Sequence, residues 1–219
     1  FFYYSESKAE VERLAGALGD GGAALMPLGA YPWSPCYSWV QDRFGVSWQV
    51  MQGQPPAGGA IAPCLMFAGP RHGKAEAAMQ AYTRALGGHI ERIERYAAGE
   101  GPEGTVKHGR FVAAGQAMAA MDSHIEHGFA PSEGISLQVM CRDQAELDRR
   151  WELLSEGGEP GPCGWLKDRF GFSWQVVPDA IADYMTSTDR AARDRAFAAV
   201  MGMAKLDIAA IQAAFEGRG

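Results

Sequence analysis

The chain has 219 residues, 47% apolar and 21% charged, the ordinary balance of a globular protein with enough apolar content for a real core. A net charge of −6 and a pI near 5.4 supply no basic face, which argues against nucleic acid or an anionic membrane surface as a partner. The most apolar runs, 61–67 and 197–203, are far shorter than the ~20 residues of a membrane span, so a soluble protein is expected.

The chain opens on Phe1-Phe2-Tyr3-Tyr4, an aromatic run that reads as a strand. It has neither an initiator Met nor a signal-type start, and further residues are expected before Phe1. A helix follows over 9–20, with Val11, Leu14 and Leu18 on one face and Gly21-Gly22 as the stop. A long hairpin carrying Trp33 leads to the strand at Trp39, the turn Asp42-Arg43-Phe44-Gly45 and a last strand. There Ser47, Gln49 and Met51 alternate with Val46, Trp48 and Val50. Residues 53–59 read as a linker by composition. A second set then runs as strand 61–67, helix 73–86 stopped by Gly87-Gly88, and strands 89–97, 105–113 and 116–122. A third set begins near 133, with a helix whose apolar face is Leu147, Trp151 and Leu154. After Pro178 the chain turns alanine-rich. Helices are expected over 179–185, 189–203 and 206–215, with Ser187 or Thr188 capping the middle one.

The chain repeats itself. Residues 38–51 and 164–177 are identical at nine of 14 positions, and 9–22 matches 145–158 at six of 14, beyond what chance supplies. One difference stands out: 16 residues separate the Gly-Gly stop from the motif tryptophan in the first copy, but six in the second. Each set reads as βαβββ. The organisation expected is a module at 1–52, forming the second half of a domain whose first half is missing, then the linker at 53–59. A complete domain at 60–178 follows, with modules at about 60–122 and 133–178, and then a helical appendix at 179–219.

The string Cys163-Gly164-Trp165-Leu166-Lys167-Asp168-Arg169-Phe170-Gly171, followed by Ser173-Trp174-Gln175-Val176-Val177-Pro178, resembles the PhnB-like proteins of the vicinal-oxygen-chelate superfamily. So do the flanking Ile135-Ser136-Leu137-Gln138-Val139 and Lys205-Leu206-Asp207-Ile208. These proteins are often labelled 3-demethylubiquinone-9 3-methyltransferase domains. The resemblance implies an α+β fold of tandem βαβββ modules in cupped mixed sheets, the glyoxalase/bleomycin-resistance fold, here with added C-terminal helices. Its label implies an S-adenosylmethionine site, yet no strand, Gly-rich loop and helix of the adenosyl-binding kind is evident. Methyl transfer is not expected, and neither is a cofactor.

The superfamily's usual device is a divalent metal held by His, Gln and Glu in the cup. By the resemblance, the last-strand carboxylate position falls on Gln49 and Gln175, and a first-strand position falls near Ser136 or Pro63. Neutral amides lose most of the charge that holds such an ion, so no metal is expected there. Gln49 and Gln175, with Trp39, Trp165, Ser47 and Ser173, are instead the expected small-molecule-binding residues. Trp48 and Trp174, out of phase with the glutamines, should enter the core. Asp122 and His124 form a possible acid-base pair, with turn and hydrogen-bonding roles as the alternative. Asp122, His124 and His127 are the candidate ligands of any displaced metal. His89 and His108 are expected at strand or pocket-rim positions, and His72 in solvent.

Two functions follow, beside a purely structural or regulatory role suggested by the alanine-rich helices and the long first-module hairpin. One is binding of a small organic molecule in a metal-free cup. The other is metal-dependent or acid-base catalysis on a small oxygenated substrate, glyoxalase- or dioxygenase-like. An unpaired module favours a homodimer. Four dispersed cysteines, Cys36, Cys64, Cys141 and Cys163, without CxxC spacing fit free thiols in a reducing cytoplasm.

Overall fold

The computed structural model describes residues 1–57, 59–128 and 130–218. Gly58 of the expected linker, Phe129 and the last residue of the expected appendix, Gly219, lie outside them. The first set runs β1 (Phe2–Ser5), α1 (Lys8–Gly19), β2 (Ala23–Tyr31), β3 (Ser34–Gln41) and β4 (Ser47–Gln52). The second runs β5 (Ile61–Ala62), β6 (Cys64–Ala68), α2 (Ala75–Leu86), β7 (Gly88–Arg95), β8 (Val106–Ala113) and β9 (Gln116–Ser123). The third runs β10 (Ser136–Cys141), α3 (Gln144–Ser155), β11 (Glu159–Pro160), β12 (Trp165–Lys167) and β13 (Ser173–Pro178). It continues into α4 (Ile181–Thr186), α5 (Arg190–Met201) and α6 (Ile208–Phe215).

Three mixed sheets result, in the orders β2-β3-β4-β1-β5, β6-β9-β8-β7 and β10-β13-β12-β11. In each, the module's first long strand lies parallel to its last, β1 with β4, β6 with β9 and β10 with β13. The βαβββ plan of an α+β fold is thereby present three times. The chain divides into two compact units. One comprises Phe1–Thr83 and Gly87–Glu126; the other comprises Arg84–Leu86 and the residues from His127 onward. The first unit thus gathers the first two modules, whereas the organisation expected from the sequence joins the second module with the third in one domain at 60–178.

Four helices, α1, α3, α5 and α6, start where the side-chain oxygen of the capping residue takes an orphan backbone N–H. Ser7 accepts from Glu10, Asp143 from Glu146, Asp189 from Ala192 and Asp207 from Ala210. The cap of α5 is therefore Asp189 itself, not Ser187 or Thr188. At the far end of α6, the Arg195 guanidinium donates to the carbonyls of Ala214 and Phe215, satisfying the last turn.

Each Gly-Gly stop has a second physical cause besides ending a helix. A Cβ on Gly22 would lie 2.1 Å from the carbonyl oxygen of Gln41, and one on Gly158 2.2 Å from that of Lys167. Only glycine admits the neighbouring strand this closely.

One expected strand is two. The run 61–67 breaks at Pro63, which lacks the N–H a ladder needs. Before the break, Ile61 and Ala62 pair with Tyr3 and Phe2 of β1; after it, Cys64–Ala68 runs parallel to β9. The proline hands the chain from one sheet to the next within the first unit. Phe2 and Tyr4 project from one face of β1 into a core with Ala62 and Ala119, closed by Met51, Cys64 and Met121. Burying each such ring is worth roughly 2 kcal/mol. The opposite face turns Tyr3, Val50 and Trp48 onto Val11, Leu14 and Leu18 of α1. In the third module the matching inner face carries Trp174, Val176 and Val139, buried together with Leu147, Trp151 and Leu154 of α3. Trp48 and Trp174 thus enter the helix-side cores.

Candidate functional site

The repeated Asp-Arg-Phe-Gly string builds a clamp. Asp42 Oδ1 accepts the backbone N–H groups of Phe44 and Val46, both at 2.9 Å, and Oδ2 accepts the Trp48 indole N–H at 3.0 Å. Asp168 repeats this with Phe170 at 2.8 Å, Phe172 at 3.0 Å and the Trp174 indole at 2.8 Å. Burial pushes the Asp42 carboxyl up, but the Trp48 indole and the Val46 and Phe44 amides outweigh it and hold it below its ordinary value. Each clamp fixes the tryptophan inward. Strand alternation then sends the residues on either side of it, Ser47 and Gln49 or Ser173 and Gln175, to the opposite face.

In the first module that face is closed upon itself. Register places Trp39 beside Gln49, and Gln49 beside Phe2. The Tyr37 hydroxyl donates to Gln49 Oε1 at 2.7 Å, and the Trp39 indole N–H donates to Ser47 Oγ at 2.6 Å. Gln49 is 7% exposed. The long β2–β3 hairpin brings Tyr31 and Trp33 against Tyr37, with ring centroids 5.2 to 5.5 Å apart. Burial pushes the Tyr37 phenol well up and that of Tyr4 up to about 12, with Arg110 opposing the latter. Tyr37 is a site residue the sequence reading passed over. Its signal was the pairing of Tyr37 with Met51 across the hairpin, two residues from Gln49.

The third module presents the same face open. Trp165 pairs with Gln175, and Lys167 with Ser173. Gln175 Nε2 donates to Ser136 Oγ at 2.8 Å. The short β11–β12 connection leaves a groove of about 400 Å³ lined by Glu133, Glu159, Pro160, Trp165, Lys167 and Ser173, among others. Lys167 is ion-paired with Glu133 across its rim. The Ser173 hydroxyl is buried and has no hydrogen-bond partner. The half-buried Trp165 indole likewise has none among the described residues, unlike Trp39 with Ser47. Glu133 and Glu159 lie outside the repeated string, so repeat comparison did not reveal them.

The remaining candidates lie elsewhere. The Asp122 carboxylate, 1% exposed, accepts backbone N–H groups from Gly73 and Ala75 at the start of α2 and from Val106. It sits where an anion would bind the N-terminus of that helix. His124 is exposed and stands edge-on to Tyr96 at 5.5 Å. His127 is half-buried, and burial lowers its pKa. His108 stands edge-on to Phe2 at 5.4 Å and is also pushed down by burial, with Glu94 opposing. His89 is exposed. His72 is not in solvent as expected: it is half-buried, and its Nε2 is buried without a partner.

The superfamily's metal does not fit these donors. At the cup positions stand neutral amides and hydroxyls, and the Gln49 oxygen already accepts from Tyr37. Among the described residues no group of three or more His, Cys, Asp or Glu could hold an ion. No helix among them is long and apolar enough to cross a membrane.

The sequence profile of a family described as 3-demethylubiquinone-9 3-methyltransferase matches residues 1–51 and 59–177. Among solved structures, a PhnB protein from Bacillus cereus is 34% identical. The match covers 54% of this chain and 99% of that one, with a TM-score of 0.49. Two variants of glyoxalase I from Zea mays superpose with a TM-score of 0.51 each, at 14% and 16% identity. They cover 80% and 81% of this chain and 64% and 66% of theirs, a likeness of fold alone. Comparison with proteins of curated function gives no match.

Proposed function

Since the chain belongs to the 3-demethylubiquinone-9 3-methyltransferase family, within the vicinal-oxygen-chelate superfamily, we propose that it binds a small organic molecule, without a metal, on the open sheet face of its third module. One observation carries this reading. Trp165, Ser173 and Gln175 occupy the positions of Trp39, Ser47 and Gln49. There, however, the serine and indole groups lack partners and line a groove, instead of bonding to each other. Pockets for small molecules combine an apolar lining with a few convergent polar groups, and the groove has both.

Methyl transfer is not part of this reading. The Gly69-to-Gly73 loop between β6 and α2 is the segment nearest to a cofactor cradle, and its helix N-terminus is filled by Asp122. A homodimer remains part of the proposal, supported by the apolar Ile135 and Met140, 52% and 40% exposed at and beside the open strand β10. A reducing cytoplasm is supported by four free cysteines, two of them buried.

Native mass spectrometry of protein purified without chelator, paired with elemental analysis, tests the proposal. A co-purifying organic mass lost on Trp165→Ala, with no stoichiometric metal, is expected. Near-stoichiometric metal, or S-adenosylmethionine binding by calorimetry, would overturn it.

A further inference from the structure

Resting on that proposed site, we infer that its ligand presents a neutral carbonyl oxygen that accepts jointly from the Trp165 indole N–H and the Ser173 hydroxyl, with an apolar body against Pro160 and Pro162. The first module supplies the internal standard. There the same two side chains satisfy each other, the Trp39 indole donating to Ser47 Oγ at 2.6 Å. In the third module the pair is unmade, leaving a nine-tenths-buried hydroxyl without a partner beside an indole without one. A buried polar group left unpaired is costly. Of the groups a ligand might offer, an acceptor oxygen is the one that satisfies both at once, because an indole N–H only donates and a hydroxyl does either.

Charge selects among acceptors. The groove carries Glu133, Glu159 and Lys167, two negative charges and one positive, for a local net of −1, and Lys167 is already committed to Glu133. No cation is left over for a carboxylate, which would meet repulsion from Glu159 in a partly desolvated site. An amine would find carboxylates but would waste both donors. A ketone, ester or amide carbonyl meets neither difficulty, and the prolines with the Trp165 ring accommodate its hydrocarbon part. The Lys167–Glu133 pair, with side chains 38% and 65% exposed, forms the rim of the groove.

The test uses the full chain labelled with ¹⁵N, with the Trp165 indole resonance assigned by its loss in Trp165→Phe. Three probes of matched heavy-atom count are titrated: 3-methyl-2-butanone, isobutyrate and 1,2-dimethylpropylamine. The ketone is expected to move the Trp165 indole proton downfield saturably. The acid and the amine should need at least fivefold higher concentration, and Ser173→Ala should weaken the ketone at least threefold. If the ketone moves the backbone amides of Gly161 and Leu166 but not the indole, or isobutyrate binds as well, the carbonyl inference falls while the binding groove stands. If no groove resonance responds to any probe, both fall. Slow hydrogen exchange of the Trp165 indole in the free protein would also overturn the inference, because it would reveal an internal partner.

Discussion

The first and third modules share a clamp, a Gly-Gly stop and a last strand, and part company at their solvent-side hairpins. In the first, the long β2–β3 hairpin brings aromatic rings down on Tyr37, and the polar groups of the face pair internally. In the third, a two-residue edge strand between glycines and prolines leaves the face open. The repeated string therefore dictates the scaffold, while the ten-residue difference in hairpin length outside it accompanies a closed polar face in one module and an open one in the other.

Removing the clamps should have the largest effect and should be unequal. Asp168→Ala strips three donors of a buried carboxylate partner and should cost about 3 kcal/mol, read by urea denaturation. Asp42→Ala, at a more exposed turn, should cost less; equal losses would break the contrast in burial. Gly158→Ala forces a Cβ against the Lys167 carbonyl and should cost about 2 kcal/mol by the same assay.

Serine gives the sharpest comparison. Ser47→Ala removes the acceptor of the Trp39 indole and should destabilise by about 1 kcal/mol. Ser173→Ala removes a hydroxyl that has no partner and should leave stability unchanged or slightly raised. A loss at Ser173 as large as at Ser47 would show that its hydroxyl is satisfied after all.

The smallest effect is in pH. Burial holds the His108 imidazole below its ordinary 6.5, so between the folded value and 6.5 the unfolded chain binds more protons. The corresponding stability is complete above pH 6.5 and is lost as the pH falls through that window. His108→Gln should flatten the difference between urea midpoints at pH 7 and pH 5.5.

The first and third modules, their helices and the inward tryptophans were legible in the sequence because each is a local pattern stated twice. Gln49 and Gln175 were correctly set on the face opposite those tryptophans by alternation alone. What alternation cannot carry is whether a face is covered. Gln49 was expected to meet a ligand and instead meets Tyr37, against which the longer first-module hairpin packs Tyr31 and Trp33. Asp122, beside His124, reads in sequence either as an acid-base group or as a hydrogen-bonding one. Its oxygens go to amides 16 to 49 residues away, a closure that only the tertiary fold reveals. Pro63 was legible as an exception to a strand but was not used as one.

The clamp also bears on the order in which the module assembles. Asp168 reaches the Phe170 and Phe172 amides and the Trp174 indole within six residues, so that loop closes with little entropic cost, whereas the parallel pairing of Gln138 with Gln175 must close a far longer loop. Local closure of this kind is kinetically early and non-local strand pairing is late. The contacts that fix the inward direction of the tryptophan need no other strand, and a one-residue slip that turned the polar face into the core would have to break them.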